Sequence, residues 1–156
     1  MAIFMQKVVF FPHSDNEFKD EYKLRDWLHN ELKIYRKGYY HLRKGTGLGE
    51  LDKGSIVFFH KNKWIVGCAV VEEDKRDTTP AEKERYRHED ENGIVEYEFV
   101  VKFNPSSIWV WTDDEFVSTD AAGEIIGKEI QQYFPAVTDL PCLLKIYEKA
   151  MSHSLP

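Results

Sequence analysis

Two apolar runs three residues apart constrain this chain more than any other feature. Ser55-Ile56-Val57-Phe58-Phe59-His60 and Trp64-Ile65-Val66-Gly67-Cys68-Ala69-Val70-Val71 are separated only by Lys61-Asn62-Lys63. Runs rich in β-branched and aromatic side chains read as strands, and so short a link makes them an antiparallel hairpin. The remaining elements must be arranged around that hairpin.

Upstream, Gln6–Phe11 is a short β-branched and aromatic run stopped by Pro12, a first strand. Phe18, Leu24, Trp27, Leu28, Leu32 and Tyr35 then recur at helical steps, predicting a helix over 17–37 with Trp27 in the core. Asp15 or Asn16 can cap its start and Gly38 can end it. Downstream, residues 72–92 are densely charged without an apolar period and read as a long loop or a frayed helix. Strict alternation returns over 94–103, where Val95, Tyr97, Phe99, Val101 and Phe103 share one face. A short strand over 107–111 and helices over 120–133 and 140–151 complete the chain, the last with Pro141 in its first turn. The order β-α-β-β-β-β-α-α predicts an α+β domain over 1–151 around a small curved antiparallel β-barrel with flanking helices. Residues 152–156 read as a tail or the start of a linker, so a longer parent protein is expected.

The 156 residues are 42% hydrophobic and 14% aromatic, too aromatic for a disordered chain. No apolar run approaches the roughly 20 residues a membrane helix needs, and no export leader is recognisable. Cys68 and Cys142 sit in apolar patterns, which points to thiols in a reducing cytoplasm. Net charge is −6, which argues against a generic coat for polyanions. The charge is uneven, however. Residues 33–53 hold six Lys or Arg against two Asp or Glu, whereas residues 72–98 hold eleven acids against five bases. A dipole of this kind can orient a polyanion toward one face, or simply mark two solvated surfaces.

Catalytic and metal motifs are missing. The six histidines include no i,i+4 pair and neither cysteine lies in a CxxC unit, so no metal or cofactor is expected. Gly45-Thr46-Gly47-Leu48-Gly49 has the composition of a dinucleotide loop with the wrong spacing, and reads as a connector. What remains is a binding constellation. Tyr39, Tyr40 and Trp64 offer flat rings for stacking, and Arg36, Lys37, Arg43 and Lys44 offer cations for phosphates. Stacking one base on an aromatic contributes about 1–3 kcal/mol, so two or three such contacts can offset base extrusion. Ordinary packing at the edge of the core is the competing reading of each tyrosine.

At the hairpin, Lys53-Gly54-Ser55-Ile56-Val57-Phe58-Phe59-His60 and Ile65-Val66-Gly67-Cys68-Ala69-Val70-Val71 resemble the strand pair of EVE domains in the PUA-like superfamily. Tyr97–Phe103 followed by Pro105 is similar to that family's later strand. The resemblance covers about residues 6–105 and implies a PUA-like curved barrel that holds a flipped, often modified base in an aromatic pocket. Mapped onto this chain, the pocket falls to Phe11, Pro12, His13 and Ser14, to Tyr39–Arg43 with His41 among them, and to His60 and Trp64. The expectation is a non-catalytic reader of nucleic acid, modified DNA favoured over RNA. It would work beside a nuclease or motor domain or subunit, as in modification-dependent restriction, and not at a membrane. A second reading is a protein-interaction module using Trp109 and Trp111 with the acidic 72–98 segment.

Overall fold

The hairpin lies at the centre of the computed structural model, which describes residues 5–13, 17–43, 51–91, 93–112, 115–130 and 134–152. Strand β1 is Met5–Pro12, β2 is Tyr39–Arg43, β3 is Ile56–Lys61 and β4 is Trp64–Asp77. The β3–β4 turn is the two residues Asn62 and Lys63, both at positive φ (53° and 66°), the mirror-image turn that suits the twist of a hairpin. Every residue of β3 is buried, which fits a strand covered on both faces.

The chain departs from the predicted pattern in several places, each for a local reason. The helix starts at Asp20, whose carboxylate accepts from the Lys23 amide, and forms α1 over Glu21–Trp27. It then relaxes into a π-helix over Leu28–Tyr35. Asp15 and Asn16 lie outside the described residues. Gly38 ends the helix at φ +92° as predicted, and the residues after it, to which the sequence pattern assigns no element, form strand β2. Strand β4 runs six residues past the predicted end, because its charged stretch pairs through two irregular registers with β7, Tyr97–Phe103. Pairing partners thus override low strand propensity.

The rest of the charged segment is helix α2, Pro80–Tyr86, followed by the hairpin of β5, His88–Asp90, and β6, Gly93–Val95. Thr79 and Glu82 close a capping box on α2, and Pro80 occupies its first turn. That Thr-x-x-Glu signal stands in the sequence and predicts the helix.

Toward the end of the chain the predicted strand over 107–111 is a 3-10 turn, Pro105–Ser107, and a two-residue strand β8, Trp109–Val110. Strand β9 is Val117–Ser118. Helix α3, Thr119–Ile126, stops early because Gly127 takes a left-handed cap at φ 77°. Phe134–Asp139 is strand β10, where a helix boundary was predicted, and α4 is Leu140–Ser152.

The fold class is α+β, with one mixed sheet in the order β10-β1-β3-β4-β7-β2 and with β8 and β9 also on β4. The sheet is not wholly antiparallel, because β1 runs parallel to β3, from Val8↔Ile56 to Pro12↔His60. The helix and β2 between them form the crossover that a parallel pair requires. Among the described residues the pairing does not close on itself: β10 bonds only to β1, and β2 only to β7. One buried cluster runs from Val8 through Leu24, Phe58, Phe59 and Phe103 to Leu143 and Ile146. Among the described residues no helix is long and apolar enough to cross a membrane.

Gly38 carries the turn from helix to edge strand. Its amide donates to the Leu32 carbonyl and its carbonyl accepts from the Phe103 amide, while a Cβ there would overlap the Phe103 carbonyl oxygen. Gly54, at φ +91°, has open space around its missing Cβ. Gly54→Ala is therefore expected to cost only backbone strain, about 1 kcal/mol, and Gly38→Ala distinctly more, roughly 3 kcal/mol. Urea unfolding of both variants checks this, and equal midpoints would contradict it.

Candidate functional site

The site is built where the free side of β2 meets the last residues of β1. Alternation along β2 sends Tyr40 and Leu42 to one face and Tyr39, His41 and Arg43 to the other. Tyr40 is 5% exposed and packs on Phe11, Trp27, Phe59 and Phe103, with ring centroids 5.3, 5.4, 6.3 and 6.2 Å away. Its hydroxyl is joined to His13 Nε2 at 2.7 Å, and the His13 amide donates to the His60 carbonyl at 3.0 Å. Side chains thus link two strands that no backbone bond connects. Burial, then the neighbouring His60, lowers the His13 pKa from 6.5 to about 3, so the ring is neutral. Burial also pushes the Tyr40 phenol well above its ordinary value.

The helix supplies the next two members. Trp27 closes α1 and Arg36 follows the π-helix, with the Arg36 guanidinium 5.5 Å from the Trp27 ring and 5.5 Å from the Tyr86 ring. Glu31 Oε1 accepts from Arg36 Nε at 3.1 Å and fixes the guanidinium. Arg36 Nη1 lies 3.4 Å from His41 Nδ1. A guanidinium only donates, so His41 Nδ1 accepts and its proton sits on Nε2. Burial, then the Arg36 charge, lowers the His41 pKa from 6.5 to about 4. The His41 ring is covered by Tyr86 at 4.1 Å and Tyr97 at 5.8 Å.

These groups wall a cavity of about 280 Å³. Phe11, Phe18, Trp27, Tyr40 and Tyr97 give it flat apolar surfaces, and Arg36, Arg43, Glu17, His88 and Asp90 give it charge and hydrogen-bonding groups. Arg43 Nη2 stands 3.7 Å from Asp90 Oδ2, an ion pair across the rim. The volume sits at the small end of ordinary ligand sites, about 300–1,000 Å³. Mixed charge among aromatic walls suits a planar, polar ligand.

Of the predicted residues, Phe11, Tyr40, His41, Arg36 and Arg43 come together here. His13 and His60 are buried behind them and line a second hollow of about 530 Å³ with Lys61 and the start of α3. Tyr39 and Lys37 line a neighbouring groove of about 610 Å³, with the Lys102 ammonium 5.4 Å from the Tyr39 ring. Trp64 is half exposed at the start of β4, paired with Ser118, and lines none of these three hollows. Ser14 and Lys44 lie outside the described residues. Tyr40 is chiefly a core residue.

The stacking surfaces therefore differ from those predicted. Trp27, assigned to the core, is half-buried and lines the cavity, as does Tyr97 from β7. Tyr86, His88 and Asp90 come from the charged segment that reads as a long loop or a frayed helix. The aromatics spaced through that segment, Tyr86, His88 and Tyr97, are the signal that could have found them. Trp109 and Trp111 do not share one exposed face: Trp111 is fully buried, while Trp109 is 41% exposed and stacks on Tyr147 at 5.7 Å.

Among the described residues no group of three or more His, Cys, Asp or Glu is gathered to hold a metal ion. Compared with protein-family models, curated proteins and solved structures, the chain matches none.

The two neutral histidines set a pH dependence. Their folded pKa values, about 3 and about 4, lie below the 6.5 of the unfolded chain. From about pH 6.5 downward the unfolded chain binds more protons, so stability is full above that pH and is lost as the pH falls toward 4 and 3. Each pKa unit corresponds to about 1.4 kcal/mol, so a loss of roughly 2 kcal/mol or more by pH 4.5 is expected. Urea midpoints at pH 7 and pH 4.5 measure it, and His13→Phe should flatten the dependence. A wild-type midpoint that holds steady over this range would contradict it.

Proposed function

We propose that this chain is a non-catalytic nucleic-acid-binding module that takes one extruded base, a modified one by preference, into the cavity between β1 and β2. The observation that carries the reading is the pairing of flat walls with cations in one small hollow: Trp27, Tyr40 and Tyr97 beside Arg36 and Arg43. A base offers two π-faces to such walls and a phosphate to the arginines. Glu17 and Asp90 supply the carboxylates that an exocyclic amino group of cytosine or adenine would donate to. The reading draws further support from the likeness of the β3–β4 hairpin to EVE domains. In the same proposal, the Tyr40–His13 link is what remains of a PUA-like barrel seam, opened to admit the ligand. The parent assembly would pair this module with a nuclease or motor, the reader supplying specificity.

Labelled oligonucleotides carrying 5-methylcytosine, 5-hydroxymethylcytosine, N6-methyladenine or no modification test the idea by titration. Trp27→Ala is expected to weaken binding about tenfold or more, since stacking contributes roughly 1–3 kcal/mol, whereas Trp64→Ala should leave it unchanged. Equal, millimolar, salt-insensitive binding to all four would end the proposal.

One observation favours a second reading. On β8, which pairs with the edge of β4 opposite β3, Trp109 presents its ring beside Tyr147, an aromatic pair suited to a protein partner. In that case a partner would be captured with nuclease present, and Trp109→Ala would release it while Trp27→Ala would not.

A further inference from the structure

We propose that the neighbouring groove along β2 is a track for the flanking strand, so that the ligand is single-stranded nucleic acid and not an intact duplex. The inference rests on the base-reading proposal and adds the substrate class to it.

The groove of about 610 Å³ is lined by Tyr35, Arg36, Lys37, Tyr39, Arg76 and Arg85, among others. Four cations and one carboxylate, Glu82, line it in a chain whose net charge is −6, and Glu31 pairs with Arg36 at 3.1 Å. Glu82 is already engaged: it accepts two bonds from the Arg76 guanidinium, at 2.9 and 3.2 Å, and holds that group in place. Arg85 lies 5.3 Å from the Tyr86 ring, opposite the Arg36 guanidinium at 5.5 Å from the same ring. Arg36 and His41 line both this groove and the base cavity, so one guanidinium separates the two sites. A strand whose base enters the cavity meets the groove with its next phosphates.

Tyr35 decides between single and double strands. It is 72% exposed at the end of the π-helix, next to Lys37. A large ring held in water above a cationic groove has a use if unpaired bases stack on it, and none if the bases are sequestered within a duplex. A single strand also avoids the few kcal/mol of unpairing and unstacking that extrusion from a duplex costs. The hairpin beside the cavity carries Glu89, Asp90 and Glu91, of which Asp90 lines it. A second phosphodiester backbone brought alongside would face these carboxylates.

Fluorescence anisotropy with a labelled mononucleotide, single-stranded 3-mers and 6-mers, and a duplex of the same sequence tests the proposal on the intact chain. The 6-mer is expected to bind at least tenfold tighter than the mononucleotide. Lys37→Glu with Arg85→Glu should remove that gain and flatten the log–log salt slope by about 1.4, two phosphate contacts at about 0.7 each. Tyr35→Ala should lose several-fold for the 6-mer alone, and unchanged urea midpoints keep these effects separate from misfolding. A duplex bound as tightly as the 6-mer, or a slope untouched by the charge reversals, overturns the groove. Were the mononucleotide still held in a Trp27-dependent way with no gain from length, the base cavity would stand and the groove would fall. Absence of binding to every probe removes both.

Discussion

The bond between Tyr40 and His13 is the constraint on which this architecture turns. Among the described residues the sheet ends at β10 and at β2, and β2 is bound through ladder bonds only to β7. What brings β2 back against β1 is a buried 2.7 Å contact from Tyr40 to His13, itself anchored through its amide to His60. Rings that pack around Tyr40 add contacts worth about 0.5–1.5 kcal/mol each beyond their buried area. A seam made of side chains differs from one made of ladder bonds in one respect that matters for function. It leaves the edges of β1 and β2 apart, and the space between them is the cavity. It is also sensitive to acid, because a neutral imidazole is part of it.

The winding of the helix has an equally direct consequence. An α-helix turns about 100° per residue, so side chains nine apart point to opposite sides. Trp27 and Arg36 are nine apart, yet the guanidinium lies 5.5 Å from the indole. The looser π-winding from Leu28 to Tyr35, with the Arg36 amide reaching back five residues to the Glu31 carbonyl, brings them to one face. π-segments are rare and concentrate at functional sites because they re-aim side chains in this way. Here the result is a cation held between two aromatic planes, Trp27 and Tyr86, on the border of two hollows.

How much of this the chain announces follows from which forces are local. The β3–β4 hairpin, β1 up to Pro12, the alternation of β7 and the proline-led start of α4 are set by period and punctuation within a few residues. They are legible for that reason. Strand β10, the charged half of β4 and the parallel β1–β3 pair depend on partners far away in sequence, and no window contains them. The site divides along the same line. Arg36, Tyr40 and Arg43 fall within eight residues and are legible from composition, while His41 enters through the likeness to EVE domains. Trp27 reads as core because its neighbours are apolar at helical spacing, and it does pack against the core, but half-buried, with its remaining surface on the cavity. Trp64 reads as a flat ring beside the hairpin, and it lines none of the three hollows.

Net charge is a poor guide to where an anion would be welcome on this surface, because many of the carboxylates are spent on close neighbours. Glu82 holds Arg76, Glu98 holds Lys83, Glu96 holds Arg87 and Glu72 holds Lys102, at distances from 2.9 to 3.4 Å. Exposed pairs of this kind contribute only about 0–1 kcal/mol to stability. Their effect is on the field: each acid cancelled locally no longer repels a distant polyanion. Screening at physiological salt limits the reach of any remaining charge to about 8 Å. Over that range the groove beside β2 presents Lys37 and Arg85, together with Arg36 held by Glu31 and Arg76 held by Glu82. Arg43, at 3.7 Å from Asp90, has the longest of these ion pairs. It lines the mouth of the cavity.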